Sequence, residues 1–159
     1  MRRIVVISTL SVVAVATAGL ASAGGNGARK SGLASPSTSP GSCTAASSTG
    51  SQTSHGFAVL NAPDKPGSPA TGRKIVGEVA LKNAPAGTYD VRLATAADDC
   101  GTKVATLTVG SGGNGNAALT APGGAGTYHV VLTQQVAPMF AFLPMTTVQK
   151  YASAPVTLR

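Results

Sequence analysis

One short unit occurs twice in this chain and constrains its fold more than any other feature. Residues 86–93 (AGTYDVRL) return as residues 125–132 (AGTYHVVL). Each copy follows a short stretch of alternating residues and a turn rich in Pro or Gly. Two alternating segments joined by such a turn are typical of a β-hairpin. The repeat therefore predicts two hairpins and an antiparallel, all-β fold.

Alternation and turn residues continue from His55 to the end of the chain, and the 3.6-residue period of a helix never persists. The spacing is typical of a single antiparallel β-sandwich of about seven strands, which we assign to residues 55–159. Alternation places Tyr128, Val130 and Leu132 inward and His129 outward, in solvent. The predicted strands are 56–61, 74–82, 88–95, 102–109, 115–120, 127–134 and 152–158.

The first 23 residues have the pattern of a secretory signal peptide. Basic residues at positions 2 and 3 precede an apolar run over residues 4–20, and Ala-Ser-Ala at 21–23 forms a small-residue cleavage site. The run is short and interrupted by polar residues, which disfavours a bilayer span. We therefore expect cleavage after Ala23, a secreted, extracellular protein and no integral membrane span in the mature chain. Association with the cell wall stays open.

Residues 24–54 have the composition of a disordered linker. Between residues 31 and 54, 13 of 24 positions are Ser or Thr, so little apolar surface is available to offset the entropy of ordering. Cys43 and Cys100 are the two cysteines of the chain. In an exported protein an even count favours a disulfide over a metal site or a catalytic thiol, so we predict a Cys43–Cys100 bond.

The repeated Ala-Gly-Thr-Tyr resembles the start of the penultimate strand in immunoglobulin-like β-sandwiches. In those domains a Tyr at this corner bonds its hydroxyl back to the backbone. Tyr128 begins the sixth of seven predicted strands, so the resemblance implies that Tyr128 is the structural corner and is costly to lose. Together with the signal peptide and the Ser/Thr-rich linker, the pattern is similar to small secreted actinobacterial proteins, a resemblance that implies no active site.

Charge and residue types exclude several function classes. The formal net charge is +7, but Lys and Arg are scattered and not interleaved with aromatic residues, so we expect no nucleic-acid partner. The chain has two His, His55 and His129, and lacks Gly-x-Ser-x-Gly and Ser-x-x-Lys motifs. Asp98 and Asp99, with Asp90, could supply oxygens to calcium, although an acidic turn explains them as well. We predict no catalytic residue, no metal and no cofactor.

The segment 136–145 is unusually apolar for a connection between two strands. Met139, Phe140, Phe142 and Leu143 form either a partner-contact loop or a plug that closes one end of the core, and the plug is favoured because a small domain needs its large side chains inside.

The sequence predicts a secreted, non-enzymatic β-sandwich protein with a binding or structural role at or near the cell envelope. Its partner is unknown, and anionic cell-wall polymers or another envelope protein fit the basic charge. Two alternatives stay open. A cell-wall glycan-binding module would have few aromatic platforms, because the chain lacks Trp. A small secreted enzyme is disfavoured by the shortage of His and acidic residues.

Overall fold

The computed structural model describes residues 27–35, 42–46, 55–63, 73–95, 100–136 and 145–159. Strands account for all of the regular secondary structure in these ranges, and no helix there is long and apolar enough to cross a membrane. The nine strands of the described chain are β1 Arg29–Ala34, β2 Gly56–Asn61, β3 Lys74–Leu81, β4 Gly87–Ala94, β5 Thr102–Val109, β6 Gly115–Pro122, β7 Gly126–Val136, β8 Thr146–Ser153 and β9 Val156–Leu158.

The strands pair antiparallel along one continuous path in the order β5-β4-β7-β8-β1-β2-β3-β6, with β9 beside the start of β7. Strand β1 joins the two halves of this path. Its first residues, Arg29 to Gly32, pair with β2, and Leu33 and Ala34 pair with β8. Strands β5 and β6, which end the path, are joined by the tight turn at 110–114 and lie close together. The prediction of an antiparallel, all-β fold is confirmed.

Both halves of the path contribute side chains to one apolar core. Strands β2, β3 and β6 supply one set, and strands β4, β5, β7, β8 and β9 supply the other. Burying each large aliphatic side chain contributes about 1.5–3 kcal/mol, so this shared core is the main stabilising feature. Its fully buried members include Leu60, Ile75, Val79, Leu107, Val91, Val130 and Leu132.

The two predicted hairpins are absent. Strand β3 pairs with β2 and β6 rather than with β4, and β6 pairs with β3 rather than with β7. Each repeated unit instead leads from one half of the path to the other, and the two strands that follow the repeated turn, β4 and β7, pair with each other. Alternation specifies which face of a strand is buried, but it does not specify the neighbouring strand.

The positions of the strands also differ from the sequence prediction near the N-terminal and C-terminal ends of the described chain. The prediction of disorder over 24–54 does not hold at Arg29–Ala34, where β1 forms and Leu33 is fully buried. The predicted strand 152–158 is divided between β8 and β9 at Ala154 and Pro155, because proline cannot donate to the ladder. These differences account for nine strands instead of seven. The predicted signal peptide, 1–23, lies outside the described residues.

Candidate ligand-binding face

The tyrosine corner is formed at Tyr89. Its hydroxyl donates a hydrogen bond to the carbonyl oxygen of Pro85 at 2.8 Å, and the side chain is 1% exposed. Tyr128, where we predicted this bond, is half-buried, and its ring lies over Gly126. A Cβ built on Gly126 would stand 3.1 Å from the Cε2 atom of Tyr128. The structure therefore assigns the expected hydroxyl-to-backbone bond to the first copy of the repeat instead of the second.

Tyr89 packs beside Tyr151 inside the core, with ring centroids 6.0 Å apart. Burial raises the pKa of Tyr89, and the neighbouring Tyr151 hydroxyl raises it further. Burial also raises the pKa of Tyr151, although the neighbouring Tyr89 hydroxyl acts in the opposite direction. Both phenols therefore stay protonated at neutral pH and have a structural role in the core.

The predicted disulfide is confirmed: Cys43 and Cys100 are bonded, with Cα atoms 4.9 Å apart. The bond holds residues 42–46, which we call the strap, against the outer face of β4, β7 and β8. The side-chain amide of Gln149 accepts a hydrogen bond from the Thr44 backbone N–H at 2.8 Å and donates one to the Thr44 carbonyl at 2.7 Å. The strap therefore covers a second, smaller apolar cluster outside the main core, made of Cys43, Ala94 and Val131 with Cys100 packed against it.

The prediction of a solvent-exposed His129 is wrong. We expected its imidazole in solvent, but His129 is 1% exposed. Strand β7 is buried on both faces over its middle residues, since one face meets the core and the other lies on the side that the strap covers. His55, the other histidine, packs against Tyr151 with ring centroids 5.1 Å apart. A ligand in solvent therefore has no direct access to His129.

Asp90, considered above as a calcium ligand, instead pairs with Lys103 on β5, with 2.6 Å between Oδ1 and Nζ. Asp98 and Asp99 lie outside the described residues. Among the residues that the structure describes, no group of three or more His, Cys, Asp and Glu side chains could hold a metal ion. The proposed partner-contact loop at Met139, Phe140, Phe142 and Leu143 also lies outside the described residues.

The opposite half of the path presents a face that carries three lysines and a half-buried phenylalanine. We call this surface the lysine face and define it by the outward residues of β1, β2, β3 and β6. Within the described chain, buried clusters reach this face at the end of β1, where Ala34 packs with Ala46 of the strap and with Ala152. By the strict alternation of a strand, its members are Lys30, Gly32, Ala34, Phe57, Val59, Asn61, Lys74, Val76, Glu78, Ala80, Asn116, Ala118, Thr120 and Pro122, with Lys82 directly after β3.

Lys30 and Phe57 form the best defined contact of the lysine face. The ammonium nitrogen of Lys30 lies 4.2 Å from the centroid of the Phe57 ring. A cation–π contact of this kind contributes about 0.5–1 kcal/mol at an exposed site. The contact therefore favours an ordered position for the Lys30 charge above the sheet.

A shallow groove crosses one end of the lysine face, and we call it the lysine groove. One part is lined by Lys30, Gly32, Gly56, Phe57 and Lys82. The adjoining part is lined by Ala80, Leu81, Lys82, Asn114, Gly115 and Asn116. Lys82 borders both parts, so the two parts adjoin and together touch four neighbouring strands, β1, β2, β3 and β6.

Glycine at position 56 is required by the backbone beside this groove. Its φ is +147°, and a Cβ built there would lie 1.9 Å from the carbonyl oxygen of Ala80. Any other residue would force β2 away from β3. The chain therefore carries a small residue where β2 enters the groove, next to the Phe57 ring.

The charge of the lysine face is positive. Lys30 and Lys82 are exposed, and Glu78 is the one carboxylate among the outward residues defined above. The Asn116 amide lies within 3.5 Å of that carboxylate and donates to it. Two ammonium groups that converge on one groove favour an anionic ligand.

Sequence reasoning missed this surface because its residues are far apart in the chain. Lys30 and Lys82 belong to segments that meet only through β2, and residue 30 had been placed in the predicted linker. The apolar pair Leu33–Ala34 inside the Ser/Thr-rich stretch was the one signal of a strand there. Comparison with protein-family models, with curated proteins and with solved structures gave no match to this chain.

Proposed function

We propose that this protein is an exported, non-enzymatic binding domain of immunoglobulin-like architecture that attaches to anionic polymers of the cell envelope. One observation carries the proposal: Lys30, ordered over the Phe57 ring, and Lys82 line the same open groove. Exposed ammonium groups bind phosphate or carboxylate oxygens with charge-assisted hydrogen bonds. The excess of basic residues over the whole chain adds a long-range attraction toward the same polymers.

Three further observations support parts of this proposal. The Cys43–Cys100 disulfide is consistent with an oxidising, extracellular compartment, as the predicted signal peptide requires. His129 is buried, which keeps its imidazole away from a substrate in solvent. The antiparallel strands and the Tyr89 corner bond support an immunoglobulin-like arrangement.

The proposal can be tested by sedimentation of the purified protein with cell-wall material over a range of salt concentrations. The variant Lys30→Ala/Lys82→Ala should bind about fivefold more weakly at low salt, because two exposed charge contacts contribute about 0.5 kcal/mol each. Binding of the unmodified protein should weaken as salt screens these contacts.

The matched control is Lys103→Ala/Lys150→Ala, which removes the same charge from β5 and β8, in the other half of the path. We expect the control to retain most of the binding. An equal loss of wall binding in both double variants would mean that only the net charge of the protein matters. That result would overturn the assignment of the lysine face as the binding surface. Absence of binding to wall material at low salt would overturn the proposed function as a whole.

A further inference from the structure

We infer that the lysine groove is a subsite for an acidic polysaccharide, that is, a chain of sugar rings that carry carboxylates. This inference rests on the proposed function and deepens it, because it selects one chemical class among anionic polymers. The observation behind it is that the groove combines cations with neutral amide groups. A polymer without hydroxyl groups would use the cations alone.

The polar groups are arranged in order along the groove. Lys30 and Phe57 lie at one end, Lys82 lies in the middle, and Asn114 and Asn116 lie at the other end. Both asparagines are exposed. An amide both donates and accepts hydrogen bonds, which suits the hydroxyl groups of a sugar, whereas an ammonium group only donates and suits a carboxylate.

Hydrogen bonds that these amides make within the protein leave capacity for a ligand. The Nδ2 of Asn114 donates to the Gly112 carbonyl at 3.1 Å, and the Nδ2 of Asn116 donates to Glu78. Each primary amide has a second N–H and a carbonyl oxygen with two lone pairs. The bond from Asn116 to Glu78 also engages the one carboxylate on this face that would repel an acidic ligand.

The dimensions of the groove fit a chain better than a single small anion. The groove crosses β1, β2, β3 and β6, which are successive neighbours, so it extends over three interstrand spacings of about 4.8 Å each, roughly 14 Å. Glycines at positions 32, 56 and 115 and the small side chain of Ala80 lie along it. Small residues allow a ring to approach the sheet closely.

The experiment compares four polymers by calorimetric titration of the purified protein at one low salt concentration. The probes are oligogalacturonate, which has sugar rings and carboxylates; polyglutamate, which has carboxylates alone; polyphosphate; and dextran, which is neutral. We expect oligogalacturonate to bind about tenfold more tightly per charge than polyglutamate or polyphosphate, and dextran not to bind measurably.

Variants separate the contributions of the two kinds of group. Asn114→Ala/Asn116→Ala should weaken oligogalacturonate binding about fivefold, the size expected for one or two hydrogen bonds, and leave polyglutamate binding unchanged. Lys82→Ala should weaken the binding of both polymers, and it should do so more strongly than the control Lys103→Ala, which changes only the overall charge. The thermal unfolding midpoint of each variant shows whether it remains folded.

Equal affinities for oligogalacturonate, polyglutamate and polyphosphate, together with no effect of the asparagine variant, would overturn the inference and leave the proposed function in place. Tight binding of dextran would also overturn it, because the ligand would then not need to be acidic. Failure to bind any of the polyanions, with no sedimentation on wall material, would instead remove the proposed function on which the inference rests.

Discussion

The same four residues, Ala-Gly-Thr-Tyr, place two tyrosines in different environments, and the difference comes from the residues that precede them. The first copy follows Pro85, whose carbonyl oxygen accepts a hydrogen bond from the Tyr89 hydroxyl. The second copy follows Gly123 and Gly124, and the Tyr128 ring lies back over this glycine turn. The glycines that begin the two strands, Gly87 and Gly126, have similar φ values of +149° and +156°. Backbone geometry is therefore repeated, whereas side-chain packing is not.

Removing the Tyr89 hydroxyl should be more costly than removing the Tyr128 hydroxyl. Tyr89→Phe loses a buried hydrogen bond and leaves the Pro85 carbonyl without it, so we expect a loss of about 1 kcal/mol or slightly more. Tyr128→Phe, at a half-buried ring, should change the free energy of unfolding by less than about 0.5 kcal/mol. Urea unfolding midpoints measure both. A larger loss of unfolding free energy in Tyr128→Phe than in Tyr89→Phe would mean that the stabilising hydroxyl-to-backbone bond is made by Tyr128.

Raised pKa values at Tyr89 and Tyr151 predict that stability falls in alkali. Because burial raises both pKa values above 10.0, the folded state holds its phenol protons at a pH where the unfolded state has lost them. The contribution of these two tyrosines to the free energy of unfolding should therefore be fully present below about pH 10 and decline above it. Unfolding curves at about pH 9 and about pH 11 measure the decline, and Tyr89→Phe should reduce it. A curve for the unmodified protein that does not change across this range would contradict the prediction.

His129 should contribute to stability, contrary to what alternation alone indicates. The imidazole is 1% exposed, so His129→Ala should leave a cavity and cost about 2–4 kcal/mol, by analogy with other large-to-small changes in protein interiors. Gln135→Ala, at an exposed position of the same strand, is the control and should cost less than about 0.5 kcal/mol. Denaturant unfolding measures the free energy of unfolding of both variants. Nearly equal losses in the two variants would mean that the His129 side of β7 is not buried in solution.

At the scale of elements, the sequence allowed strands to be predicted where a strand has one buried and one solvated face. Strand β4 is such a case up to Leu93, because Tyr89, Val91 and Leu93 alternate with polar residues, whereas its last residue, Ala94, is buried under the strap. Strand β7 was placed correctly, but its second buried face was missed, since the strap that covers it is distant in sequence. Strand partners were not predictable either, because pairing depends on long-range packing.

Strand β1 was missed for a related reason. Its six residues, Arg29–Ala34, lie in a stretch whose overall composition indicates disorder, and only Leu33 and Ala34 are apolar and buried. The strand forms because its backbone completes the ladders of β2 and β8, which no side-chain pattern records. The lysine groove could not be predicted either, because Lys30, one of its two cationic residues, lies on β1.

Substitution of Leu33 tests whether β1 belongs to the folded domain in solution. Leu33 is fully buried, so Leu33→Ala should cost about 2–5 kcal/mol. A residue in a solvated linker would tolerate the same change at almost no cost. The control is Lys30→Ala on the exposed face of the same strand, for which we expect a loss of about 1 kcal/mol or less, the value of its contact with Phe57. Thermal or urea unfolding that leaves Leu33→Ala unchanged would place residues 29–34 outside the stable fold.

At the scale of the whole molecule, the two halves of the path have opposite surroundings on their outer faces. Strands β4, β7 and β8 and the end of β1 at Ala34 are covered by the strap, which the Cys43–Cys100 bond fixes. Strands β2, β3 and β6 and the first residues of β1 present the lysine face. The disulfide therefore stabilises the half of the molecule that does not carry the proposed ligand site. Stability and ligand binding should accordingly respond differently to loss of this bond.

Cys43→Ser/Cys100→Ser should lower the free energy of unfolding by about 4 kcal/mol, because the bond links residues 57 apart and restricts the unfolded chain. Treatment of the unmodified protein with a reductant should give a similar loss. Below the unfolding transition of the variant, sedimentation with wall material should be unchanged within about twofold, since Lys30, Phe57 and Lys82 lie on the opposite half. Two alkylatable thiols in the native protein, detected by intact mass, would show that the bond is absent. Loss of wall binding in a variant that is still folded would instead mean that the strap, and not the lysine face, contacts the polymer.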